Sequence, residues 1–153
     1  TSPVGYPRTC ILFGHDDPEK LTPEAVRDGV AAGATTISGG LYVTVVGPGG
    51  AGPGQTATAT DGSATFTVTV RAPSWIEATS LETIVNGQTV ATDPLVAKPG
   101  AGPGKVYERQ VKVTIDPARP RNWVLFHAKG AKDLAPLHPG RKPFAVSNPI
   151  FVK

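Results

Sequence analysis

Apolar positions along this chain follow two periods, a brief helical one and a strand alternation that repeats to the C-terminus. Ahead of both lies Tyr6 to Phe13, where Arg8-Thr9-Cys10-Ile11-Leu12-Phe13 is close to continuously hydrophobic, the pattern of a strand buried on both faces, and it stops at Gly14. After the acidic turn His15-Asp16-Asp17-Pro18, Thr22 is placed to cap a helix with Pro23 at its first position, and Leu21 to staple onto Val26. Ala25, Val26, Gly29 and Val30 make the apolar stripe, and Gly33 supplies a left-handed stop, which predicts a helix over Pro23 to Ala32.

From there on the alternation is that of strands. Thr35 to Ser38 and Leu41 to Val46 are predicted strands with a kink at Gly39-Gly40 between them, followed by Ala64 to Val70. Leu81 to Val85 reaches Asn86-Gly87, the strongest short hairpin signal, and Gln88-Thr89-Val90 returns. Val106 to Ile115, Trp123 to Ala128, Phe144 to Val146 and Ile150 to Val152 complete the set. Short strands separated by turn signals predict a mainly β, antiparallel, immunoglobulin-like β-sandwich over residues 35–153, preceded by a strand–helix appendage over residues 1–34.

Composition sharpens this picture. With 153 residues the chain can bury one main core, and its 18 Gly and 16 Pro fall in clusters between β-branched runs, as turns do, instead of forming one low-complexity tract. Gly50-Ala51-Gly52-Pro53-Gly54 recurs as Gly100-Ala101-Gly102-Pro103-Gly104, which predicts a pair of flexible or polyproline-like connectors. Neither copy is a phosphate-cradling loop, because no Lys-Ser or Lys-Thr follows and no helix starts there. No apolar run approaches the ~20 residues of a membrane span, and the first residues do not predict a signal-type leader. The absence of Met and the start at Thr1 are read as signs of a processed chain, and a location outside the cytoplasm (extracellular, periplasmic or cell-surface) is the expectation. Residues 1–97 carry four Lys/Arg against nine Asp/Glu, and residues 98–153 carry eleven against three, a polarity that strand interleaving can cancel.

Candidate chemistry is sparse. His15, His127 and His138 stand in no metal-ligand spacing, and His15-Asp16-Asp17 is the best of a weak set, able to hold a divalent ion only if the fold adds a further ligand. His127 alternates with apolar neighbours and is expected to be a hydrogen-bonded strand residue. No Gly-x-Ser-x-Gly elbow exists, and Cys10, the single cysteine, is expected to be a buried thiol with no disulfide partner. Thr1 is weighed as an N-terminal nucleophile and set aside, since Ser2-Pro3-Val4-Gly5 looks like an irregular lead-in. Arg119, Arg121, Lys129, Lys132, Arg141 and Lys142 lack the interleaved aromatics of a nucleic-acid stacking platform. No catalytic residue is assigned.

Gly5-Tyr6-Pro7-Arg8-Thr9, the capped helix ending in Ala32-Gly33, Ser38-Gly39-Gly40, Ala72-Pro73-Ser74-Trp75-Ile76, Val85-Asn86-Gly87 and the run Phe144 to Val152 together resemble the C-terminal part of PHP-type metal-dependent hydrolases, in the branch similar to carbaryl hydrolase. The resemblance implies that residues up to about Gly33 close a metal-binding domain whose His and Asp ligands, and whose divalent metal, lie upstream. This chain then holds no cofactor of its own. Arg8 is implied as a residue at the edge of the substrate pocket once that domain is joined. Gly39-Gly40-Leu41 departs from the family's more frequent Asn-Gly-Pro. The expected function is a non-catalytic module partnered by the upstream hydrolase domain. The alternative is a processed extracellular subunit that self-assembles into filaments or sheaths through an exposed strand edge, and an independent enzyme ranks third.

Overall fold

The computed structural model describes residues 5–100 and 102–153. Eleven strands and one α-helix follow in the order β1 (Arg8–Ile11), α1 (Pro23–Ala31), β2 (Thr35–Gly39), β3 (Tyr42–Val46), β4 (Thr56–Ala57), β5 (Ser63–Ala72), β6 (Ser80–Val85), β7 (Gln88–Pro94), β8 (Lys105–Thr114), β9 (Asn122–Lys129), β10 (Phe144–Ser147) and β11 (Ile150–Val152). They form two sheets packed as a sandwich. The smaller is β3-β5-β8, and the larger runs β1-β2-β10-β9, with β6 and then β7 beyond β9.

Alternation explains the core. Along β5, Phe66, Val68 and Val70 point inward, and along β9, Val124, Phe126 and Ala128 do the same from the opposite sheet. The Phe66 and Phe126 rings meet with centroids 5.6 Å apart, a favourable tilted aromatic pair at the centre of the sandwich. β10 and β11 both pair with β9 and are split by Asn148-Pro149. Proline has no N–H to give the ladder, and the Ser147 hydroxyl accepts the bond from the Phe126 N–H at 3.0 Å near this break.

The β6–β7 hairpin forms at Asn86-Gly87, both with positive φ (51° and 88°), as its turn type demands. The kink expected at Gly39-Gly40 is a change of sheet: β2 belongs to the larger sheet and β3 to the smaller. Gly40 has φ 95°, and a side chain there would press on Ile76, so glycine suits both the turn and the packing.

Helix α1 begins as expected, with the Thr22 hydroxyl accepting from the Ala25 N–H at 3.1 Å, and it gives way to Gly33 at φ 69°. It touches the rest of the chain closely at Gly29, where a Cβ would lie 2.6 Å from Ile11 Cγ2. At its C-terminal end, Asn148 Nδ2 donates to the Gly33 carbonyl at 3.0 Å, and Gly54 abuts Ala32 and Gly33.

Two expectations fail for the N-terminal segment. β1 is not buried on both faces: Arg8 and Thr9 are exposed, and Cys10 and Ile11 are only half-buried. The reason is position, since β1 pairs antiparallel with β2 and is the last strand of its sheet, with its far edge open among the described residues. The expected stripe of α1 is covered only in part: Ala25 and Gly29 are half-buried, whereas Val26, Val30 and the stapling Leu21 are exposed and the helix contains no buried residue.

The two Gly-Ala-Gly-Pro-Gly copies are not equivalent connectors. In the first, Ala51 and Pro53 are buried and the Gly54 N–H donates to Pro149 O at 2.9 Å. The second is mostly exposed, and its Ala101 lies outside the described residues. β4 and the 3₁₀ turns at Pro18–Lys20 and Pro48–Gly50 were not legible, being two or three residues long; β4 gains its place only by pairing in parallel with β11. No helix among the described residues is long and apolar enough to cross a membrane.

Candidate functional site

Unequal sheet widths leave a rim on one side of the sandwich. β3 is the edge of the smaller sheet, whereas the larger sheet continues past it from β2 to β1. Thr36 and Ser38 of β2 point toward β3, their hydroxyls donating to Val43 O (3.3 Å) and Leu41 O (2.6 Å). Register pairs Cys10 with Thr36 and Arg8 with Ser38, so both side chains of β1 lie on this inward side, next to the rim.

Three open hollows follow the rim. The first, of about 530 Å³, is lined by residues 11–18, Leu21 and Tyr42. The second, of about 420 Å³, holds Arg8, Tyr42, Arg71 and Lys105. The third, of about 140 Å³, is lined by Tyr6, Trp75, Ile76, Leu134, Leu137 and His138 together with Arg8. Tyr42 is shared by the first two, and Arg8 by the last two.

The candidate metal ligands lie in the first hollow, but their polar atoms serve the turn. His15 Nδ1 accepts from the Asp17 N–H at 3.3 Å, and Asp17 accepts from the Glu19 N–H at 3.1 Å while pairing with Lys20. Asp16 is exposed, and among the described residues no three His, Cys, Asp or Glu side chains come together. A divalent ion needs several converging ligands held by their own hydrogen bonds, so these residues do not fit a metal centre by themselves. Cys10 is half-buried, not buried. Thr1 lies outside the described residues.

Arg8 is exposed and makes no ion pair among the described residues, and the same is true of Arg71, whose only polar side-chain partner is Thr44 at a weak 3.4 Å. Lys105, by contrast, is engaged by Glu77 at 2.9 Å. Burial raises the Tyr42 phenol above its ordinary range, with the nearby Cys10 acting in the same direction and Arg71 against it, so the phenol stays protonated near neutral pH. Tyr6 is raised by burial too, its hydroxyl donating to Lys142 O at 2.8 Å, and its ring sits 5.1 Å from that of His138. His138 Nδ1 is buried and has no hydrogen-bond partner among the described residues.

His127 lies apart from all this, half-buried on the outer face of the larger sheet. Burial, then the charge of Lys129, lowers its pKa, which keeps it neutral at pH 7; its Nδ1 lies 3.4 Å from Glu82. The hydrogen bond from Lys129, aided by its charge, holds the Glu82 carboxyl below the usual carboxylate range. Lys129–Glu82, Lys105–Glu77 and Arg109–Asp93 each join the basic C-terminal part to the acidic N-terminal part, so strand pairing does interleave the two charge blocks.

Arg8, expected at the edge of a pocket completed by an upstream domain, lines the second and third hollows, and the sequence did not point to Tyr42, Arg71, Trp75 and His138 as further lining residues. No local motif links these four; only the change of sheet at Gly40 and the returning loop through Leu134 and His138 bring them to one rim. Comparison of the chain with family models, curated proteins and solved structures finds no match.

Proposed function

We propose that this chain is the immunoglobulin-like, non-catalytic β-sandwich module of a PHP-like metallohydrolase, joined through its strand–helix unit to an upstream domain that carries the divalent metal and the chemistry. The observation that carries this reading is that α1 buries no residue within the chain, although Val26, Val30 and the adjacent Leu21 are apolar and exposed, beside the open edge of β1. Exposed apolar side chains and an unpaired strand edge are the features a packed neighbour covers. The resemblance of Gly5 to Thr9 and Phe144 to Val152 to the hydrolase ending names that neighbour.

The test is to express the chain joined to its upstream domain and measure metal-dependent ester and amide hydrolysis, with and without the double substitution Val26→Asp and Val30→Asp. The joined protein is expected to be active under metal-replete conditions. The double variant is expected to lose more than tenfold of that activity while far-UV spectra of the sandwich stay unchanged. Equal activity in the two proteins, or no activity in either, contradicts the reading.

The open edge of β1 also favours a second reading, self-assembly of identical chains by edge-to-edge pairing. The other sheet edge is protected differently, because β7 ends in Asp93-Pro94, residues that discourage strand addition. Size-exclusion chromatography and negative-stain images separate the two readings: fibres or higher oligomers of the isolated chain support self-assembly, and a monomer removes it.

A further inference from the structure

The geometry points to a small-molecule site at the rim between β1 and β3, suited to a single aromatic ring bearing an anionic group. It uses the second and third hollows and none of the exposed residues of α1, and it shares with the docking surface only Arg8, which belongs to β1. These two hollows adjoin, because Arg8, Gly40 and Pro73 line both.

The halves differ in chemistry. The third hollow, of about 140 Å³, is walled by Tyr6, Trp75, Ile76, Leu134, Leu137 and His138. That volume is about that of an enclosed apolar cavity able to take one benzene ring, roughly 150 Å³, so this hollow, open at its mouth, has room for one ring with part of it left in water. Trp75 and Leu137 are exposed at its mouth, while Ile76 and Leu134 are buried. The loop that supplies Leu134 and His138 is held in shape by Asp133, whose carboxylate accepts from the Ala135 and Gly140 N–H groups. The hollow therefore belongs to a braced structure.

The second hollow presents Arg8, Arg71 and Lys105, and no Asp or Glu lines either hollow. Glu77 neutralises Lys105, which leaves Arg8 and Arg71 as guanidinium groups with no carboxylate partner among the described residues. Planar guanidinium forks match carboxylates and other oxyanions in shape as well as charge. The protonated Tyr42 phenol adds a neutral donor on the same wall. An apolar slot for a ring, next to two uncommitted guanidiniums and a phenol, selects ligands that carry both groups and discriminates against either alone.

Phenylacetate is the simplest probe carrying both. In two-dimensional ¹H–¹⁵N spectra of the whole chain, it is expected to shift the Trp75 indole N–H and the Arg8 and Gly40 amides saturably. Acetate or benzyl alcohol at the same concentration is expected to leave them nearly unmoved. Arg8→Gln with Arg71→Gln is expected to weaken binding at least tenfold, and Trp75→Ala to weaken it several-fold, with the remaining resonances confirming an intact fold. Absence of a saturable shift in the wild-type chain, equal binding by the double Arg variant, or an equal response to acetate or to benzyl alcohol would overturn the proposal.

Discussion

Val26 and Val30 of α1 are 42% and 54% exposed, whereas Val43 and Val45 of β3 are 0% and 4% exposed, although the same residue type sits on a periodic apolar face in each element. The difference runs through the whole molecule. Among the described residues before β2, Tyr6 alone among the hydrophobic side chains is buried, while from Leu41 onward every strand but β7 delivers residues to a shared core. Periodicity tells which face of an element is apolar; it does not tell whether the same chain supplies the cover. The sandwich covers its own faces. The strand–helix unit does not, although β1 pairs along its length with β2 and further contacts run through Tyr6 and through the junction of Gly33 with Asn148 and Gly54.

The comparison breaks first at the core. Phe126→Ala removes a fully buried ring that packs on Phe66, and a cost of about 3–5 kcal/mol is expected in urea unfolding monitored at the whole sandwich. A loss below about 1 kcal/mol would mean that the sheets are not packed as described. Next comes the junction. Gly54 has φ 81° and lies against the backbone of Ala32 and Gly33, so Gly54→Ala is both strained and obstructed. A destabilisation on the order of 1–3 kcal/mol is expected, with the largest amide shifts in residues 32–34 and 54–55. Smallest is Thr22→Ala, which removes the helix cap and is expected to destabilise α1 by roughly 1 kcal/mol while leaving the midpoint of global unfolding almost unmoved. A global shift as large as that of Phe126→Ala would show the helix to be part of the cooperative core.

Much of this fold could be read directly from the residues. The helix cap at Thr22, the stop at Gly33, the Asn86-Gly87 hairpin and the alternating strands are local signals whose physics is complete within a few residues, and they appear where expected. What failed depended on non-local neighbours. The hydrophobic run at Cys10 to Phe13 looks like a central strand, yet topology puts it at an edge. Identical Gly-Ala-Gly-Pro-Gly segments differ because one happens to lie beneath Gly33 and beside Pro149. The rim hollows were invisible for the same reason: Arg8, Arg71 and His138 are separated widely along the chain and meet only after the sheets have formed.

Amide hydrogen exchange compares the two regions within a single sample and tests most directly whether the strand–helix unit is a docking element on a self-sufficient sandwich. In the isolated chain, amides of Val26 to Ala32 are expected to exchange orders of magnitude faster than those of Val124 to Ala128, and to slow markedly when the upstream domain is joined. Helix amides as protected in the isolated chain as those of β9, with no further slowing on joining, would contradict the account.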